Sequence, residues 1–122
     1  MAGGVSFKNA KHGITDNGNP GALALSRNST FGNAGTGFDA DGAGSRAVLK
    51  ENLSVADGRA VAVGSGTVAT GNSWNLGGSW GESSVQSTNP AAITGPRDAD
   101  GSLPSAAGFL VPRNGTAIGA RL

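Results

Sequence analysis

Side chains able to do chemistry are few in this 122-residue chain, and they gather near its start: Lys8, Lys11 and His12, within FKNAKHGITDNGNPG. His12 is the only histidine, cysteine is absent, and the carboxylates are dispersed. No Ser/His/Asp set, phosphate-cradling glycine loop or metal-ligand cluster can be assembled from these residues. What remains is a basic group, which can attract an anion or, where a lysine is uncharged, accept a proton. A single lysine in a turn is ordinarily a solvated surface charge. The significance of Lys11 therefore depends on what is stacked beside it. Counting in steps of 24 residues, Gly35 and then Arg59 fall at its register.

That step comes from a repeat centred on Ala22 to Phe38, ALALSRNSTFGNAGTGF. Asn28 is matched by Asn52, and upstream Phe7, Asn9, Gly13 and Ile14 match Phe31, Asn33, Gly37 and Phe38, all at a spacing of 24. A weaker pass, TVATGNSW, sets Ala69 and Asn72 against Leu49 and Asn52 with a step of 20. A period in the low twenties, built from short alternating segments and Asn/Gly turns, is that of a β-solenoid, in which each pass needs its neighbours to bury its apolar face. ALAL, AVLK, AVAV and TVAT alternate with period two, so one set of side chains points inward. The expected inner set is Leu23, Leu25, Phe31, Phe38, Leu49, Val55 and Val61, with Leu25, Leu49 and Ala69 in one column. Asn28, Asn52 and Asn72 fit an internal amide ladder and fit plain turn formers equally well.

Between passes, DNGNPG (16–21) is a dense turn signal, and DADGAGS (39–45) occupies the equivalent place one pass later. The latter lacks the ligand spacing of a calcium loop and is expected to be a solvated turn. After Gly78 the period ends and prolines punctuate the chain, while Trp80, Ile93, Leu103, Phe109, Leu110, Val111 and Ile118 supply apolar anchors. The expected division is residues 1–78 as β-helix coils and 79–122 as an irregular C-terminal cap. Trp74 and Trp80 are expected to pack beneath that cap; tryptophans flanking a glycine-rich turn are also suited to stacking on sugar rings.

Twenty-two glycines and no long apolar stripe argue against helical bundles and doubly wound sheets. A formal charge of +1 gives no field that would favour nucleic acid or an anionic membrane, and the first residues contain no apolar run of signal-peptide or transmembrane length. The repeat match begins abruptly near Val5, so the coils are expected to be truncated at the N-terminus, leaving a face prone to self-association.

FKNAKHGITDNGNPGALALSRNSTFGN, followed by ENLSVADG, NSWNLG and GPRDADGSLP, resembles the C-terminal part of secreted bacterial pectate lyases of polysaccharide lyase family nine. The resemblance covers most of the chain, and NAKHGITDNGNPG is its most specific part. It implies an all-β, right-handed parallel β-helix of three to four coils that acts on acidic, polygalacturonate-type polysaccharide by β-elimination. It also implies that Lys11 is the catalytic base; Lys8, His12 and Arg59, the other members of the basic group, are the candidate substrate-binding residues. The family uses calcium, held by aspartates on preceding coils; no calcium is expected on this chain, which is therefore expected to be inactive or weak in isolation. Two other classes fit the residues alone: a structural or adhesive β-solenoid, in which Lys11 is a turn lysine, and a carbohydrate-binding remnant using Trp74 or Trp80.

Overall fold

Short period-two segments broken by Asn and Gly form strands too brief to stand alone, so their backbone groups must be satisfied by other passes of the chain. A computed structural model describes residues 1–18, 21–42, 46–101 and 108–121. Asn19 and Pro20 of the first turn, residues 43–45 of the second, and Leu103 and Pro104 of the tail lie outside the described residues. The strands are β1 (Val5–Phe7), β2 (Ile14–Thr15), β3 (Ala22–Ser26), β4 (Ser29–Phe31), β5 (Thr36–Ala40), β6 (Arg46–Lys50), β7 (Leu53–Val55), β8 (Arg59–Val63) and β9 (Val68–Thr70). They form three parallel sheets, β1-β4-β7, β2-β5-β8 and β3-β6-β9. Every strand thus pairs with the strand three places along rather than with its chain neighbour, an all-β arrangement consistent with a β-solenoid. Among the described residues there is no α-helix, only single 3-10 turns at Ser73–Asn75, Glu82–Ser84 and Pro90–Ala92.

The register follows the repeat. Val5 pairs with Ser29 and Ser29 with Leu53, while Leu25, Leu49 and Ala69 share one column. Phe38, however, pairs with Val61, a step of 23, and Val48 with Val68, a step of 20. One residue is lost at Gly35: Gly58 N–H donates to the Asn33 carbonyl and Arg59 N–H to the Gly35 carbonyl, so Gly35 has no counterpart in the next pass. The remaining shortening falls in the turn between Val63 and Val68.

Leu25, Leu49, Phe38, Ile14, Ala40 and Ala47 form one buried cluster, with Leu23, Val61, Ala69 and Trp74 packed against it. Each fully buried Leu or Phe there stabilises the fold by about 1.5–3 kcal/mol relative to exposure. Phe31 and Val55, expected in this inner set, belong to a second cluster with Leu53, Val85, Ile93, Phe109, Leu110 and Ile118. The reason is the strand pleat. Ser29 and Phe31 point one way and Thr30 the other, and the C-terminal segment covers the Ser29/Phe31 face, with Ala120 N–H donating to Ser29 Oγ and Phe109 meeting Phe7 edge-on at 5.8 Å. Both faces of the β1-β4-β7 sheet are consequently covered, and every residue of β4 and β7 is buried.

Asn28, Asn52 and Asn72 form a ladder. Asn28 Nδ2 donates to Asn52 Oδ1 at 3.1 Å and Asn52 Nδ2 to Asn72 Oδ1 at 2.8 Å, and each backbone N–H on the lower rungs donates to the amide above. All three are 0% exposed, so the amide-ladder explanation prevails over the turn-former one. A second ladder stands beside it, from Asn9 to Asn33 to Asp57, and Asp57 ends it by accepting hydroxyl protons from Thr30 and Ser54, each at 2.6 Å.

Candidate functional site

Lys11 stands exposed on the turn between β1 and β2. Its backbone is fixed from the pass above, where Gly35 N–H donates to its carbonyl. The approach is close enough that a Cβ on Gly35 would lie 2.7 Å from that oxygen and 3.0 Å from His12 Nδ1; only glycine leaves the space. His12 is held by the same pass. Thr36 N–H donates to its Nδ1 at 3.1 Å, and its Nε2 lies 3.2 Å from Asp39 Oδ2. A ring nitrogen that accepts a backbone N–H carries no proton, which places the imidazole hydrogen on Nε2, facing Asp39.

Lys11 and His12 line a cleft of about 400 Å³ together with Asp16, Asp39 and Asp41. Burial pushes the Asp39 carboxyl up from the ordinary carboxylate range; the hydrogen bond and charge of Asp41, and the charge of Asp16, push the same way, and they outweigh the opposing pull of His12. Asp16 is tied into its turn, accepting from Gly18 and Gly42 N–H. The DADGAGS acids, expected to be simply solvated, in fact wall the cleft, because Asp39 sits one pass above Thr15. Among the described residues, no group of three or more His, Asp or Glu side chains is placed to hold a metal ion. This donor set does not fit calcium.

The other two candidate residues stand apart from the cleft. Lys8 places its ammonium 5.9 Å from the centre of the Phe31 ring. Arg59 pairs with Thr36, whose carbonyl accepts from Gly13 N–H, so its column is that of His12 and Thr36 and not that of Lys11. The count in steps of 24 misplaced it by the one residue that Gly35 adds.

Trp74 and Trp80 are both half-buried. Trp74 tilts against Phe38 at 5.4 Å, Trp80 packs against the tail cluster, and the two rings line a common cleft.

Over 117 residues, 95% of its length, the chain is 36% identical to the pectate lyase PEL9 of Emericella nidulans. The chain is therefore related to a pectate lyase, and it spans 28% of that protein. The relative is fungal, whereas the sequence resemblance above is to bacterial enzymes. No family model matches the chain, and no solved structure matches it.

Proposed function

We propose that this chain is part of a secreted, pectate lyase-like polysaccharide lyase of family nine, cleaving an acidic, polygalacturonate-type polysaccharide by β-elimination, with Lys11 as the base. The observation that carries this is the similarity to a pectate lyase along 95% of the chain. An exposed lysine, fixed by its carbonyl at the mouth of a cleft large enough for a sugar ring, supports the placement of the base. In such a reaction the proton leaves C5, the carbon next to the uronate carboxylate. The electron pair forms a C4–C5 double bond, and the glycosidic C4–O bond breaks with its electrons going to the oxygen of the departing chain, which takes a proton from water. Lys11 can accept that proton only through an uncharged Nζ. His12, Lys8 and Arg59 are the groups assigned to substrate binding. His12 lies beside the base, while Lys8 and Arg59, which stand apart from the cleft, are assigned to the polysaccharide beyond the reacting sugar.

The fold that goes with this function is a right-handed parallel β-helix of three to four coils over residues 1–78, with 79–122 as its C-terminal cap. Calcium in the parent enzyme would be held by residues outside these 122, and the isolated chain would have little or no activity. The test is made in a longer protein that contains this chain and is active, following the ultraviolet absorbance of the unsaturated product. Lys11→Ala is expected to lower kcat by about 10²- to 10⁴-fold, the usual contribution of a general base. Unchanged turnover would remove Lys11 from the mechanism.

A further inference from the structure

Two clefts share Trp80 and Gly78, and their polar ends differ in sign. The first, about 230 Å³, lies between Trp74 and Trp80 and contains the Asp57 carboxylate. Asp57 is occupied: Oδ1 accepts from Asn33 N and Nδ2, and Oδ2 accepts from Thr30 and Ser54. The second, about 260 Å³, is also lined by Trp80 and contains Arg113 and Asn114. Among the described residues the Arg113 guanidinium has no ion-pair or hydrogen-bond partner, and Asn114 uses only its Oδ1, toward Thr116, leaving its amide N–H groups to face a ligand. Trp80 thus belongs both to a cleft with a spent acceptor and to a cleft with unspent donors.

We infer that this pair of clefts is a second carbohydrate subsite, in which one uronide ring of an acidic oligosaccharide stacks on Trp80 with its carboxylate on Arg113 and Asn114. An indole face suits the apolar C–H side of a sugar ring, and a guanidinium suits a carboxylate bidentately. Asp57 in the neighbouring cleft favours that orientation, since a uronate turned toward it would bring like charges together. The first cleft also borders the stacked turns whose lowest member carries Lys8. Lys8, Gly32 and Ala56 form one column there, through Lys8 N–H to the Phe31 carbonyl and Gly32 N–H to the Val55 carbonyl, and Ala56 lines the Trp74/Trp80 cleft. With strands stacked about 4.8 Å apart, Ala56 stands two strand steps from Lys8. The choice of a uronide over other anionic sugars rests on the function proposed above; the binding geometry does not require Lys11 to be a base.

The test uses the 122-residue chain, whose only tryptophans are these two, so intrinsic fluorescence reports this cleft. Trigalacturonate is expected to perturb it saturably and more weakly as salt rises, while a neutral galactose trimer binds about five- to tenfold less tightly. Arg113 is exposed and can be changed without disturbing the core. Arg113→Glu should abolish the preference for the acidic trimer, and Arg113→Lys should keep part of it. Equal affinity for the two trimers, or an unchanged affinity in Arg113→Glu, would overturn the subsite. So would a response lost in Lys11→Ala yet kept in Arg113→Glu, which would place the ligand in the other cleft. Loss of elimination in the longer protein with Lys11→Ala is read by product formation, so the two assignments fail separately.

Discussion

At the scale of single residues, stability and chemistry are governed by how buried polar groups find partners. Asn52 is the middle rung of a fully buried ladder, accepting from Asn28 and donating to Asn72 Oδ1 and to the Leu25 carbonyl. Asn52→Ala strands those partners and should cost about 1–3 kcal/mol in urea unfolding; a loss of a few tenths would mean the ladder is ornamental. Its position was legible in the sequence, because asparagine recurs at matching places in three passes. The Asn9–Asn33–Asp57 ladder shows less plainly, since its last rung is an aspartate that only the Thr30 and Ser54 hydroxyls complete. Asp39 carries a pH signature. Its carboxyl is raised above the ordinary value of 3.8 by burial and by Asp41, so the folded state holds this proton more tightly than the unfolded state. The contribution to stability is therefore fully present below the ordinary value and lost as pH rises through the raised one. Asp39→Asn, whose amide oxygen can still accept from His12 Nε2–H, should be no more stable than the parent in acid and should gain on it toward neutrality. Melting curves across that range check the sign, and a gain in acid only would contradict it.

At the scale of elements, the corners decide the register. Arg27, Glu51 and Gly71 stack in one left-handed column with φ of 51°, 56° and 65°, and Lys8, Gly32 and Ala56 stack in another with φ of 53°, 62° and 52°. A non-glycine residue in this region costs about 1–2 kcal/mol, and the stacked hydrogen bonds on either side hold it there. Ala56→Gly should consequently stabilise the chain by about 0.5–1 kcal/mol, once the extra freedom of glycine in the unfolded state is set against the relieved strain. Gly35 behaves oppositely. Gly35→Ala pushes a methyl group onto the Lys11 carbonyl, and it should cost about 1–3 kcal/mol and displace the Lys11–His12 turn, seen as shifted amide resonances at residues 11–13. The sheets and most of their pairing were readable from period and spacing. Arg59 was not, because an insertion of one residue in a glycine-rich turn leaves no trace in the apolar pattern that sets strand register.

At the scale of the molecule, the least legible feature was the outer face of the β1-β4-β7 sheet. Period two tells which residues of β4 share a face, but not that a segment more than fifty residues later covers Phe31 and Val55 with Phe109, Leu110 and Ile118. That coverage leaves one end of the molecule to be explained. Among the described residues, β1 and β2 each have a neighbouring strand on one side only. The free side of β3 is partly taken by the first residues: Ala2 bridges Ser26, and the Met1 ammonium donates to the Ala24 carbonyl at 2.7 Å. Among the described residues, the side of Val5–Phe7 and Ile14–Thr15 turned away from β4 and β5 thus has no strand partner, a template for another strand. In the 122-residue chain this edge should drive concentration-dependent self-association, visible by sedimentation, with fast amide exchange at residues 5–7 and 14–15 when dilute and slower exchange when concentrated. Thr15 is exposed on β2, and Thr15→Lys, placing a charge on that edge, should shift the equilibrium toward monomer, with the melting temperature of the dilute protein lowered only slightly by loss of the hydrogen bond that Thr15 Oγ1 accepts from Asn17 N–H. A monomer at every concentration, with those amides already protected, would show that the edge is closed by contacts within the chain itself.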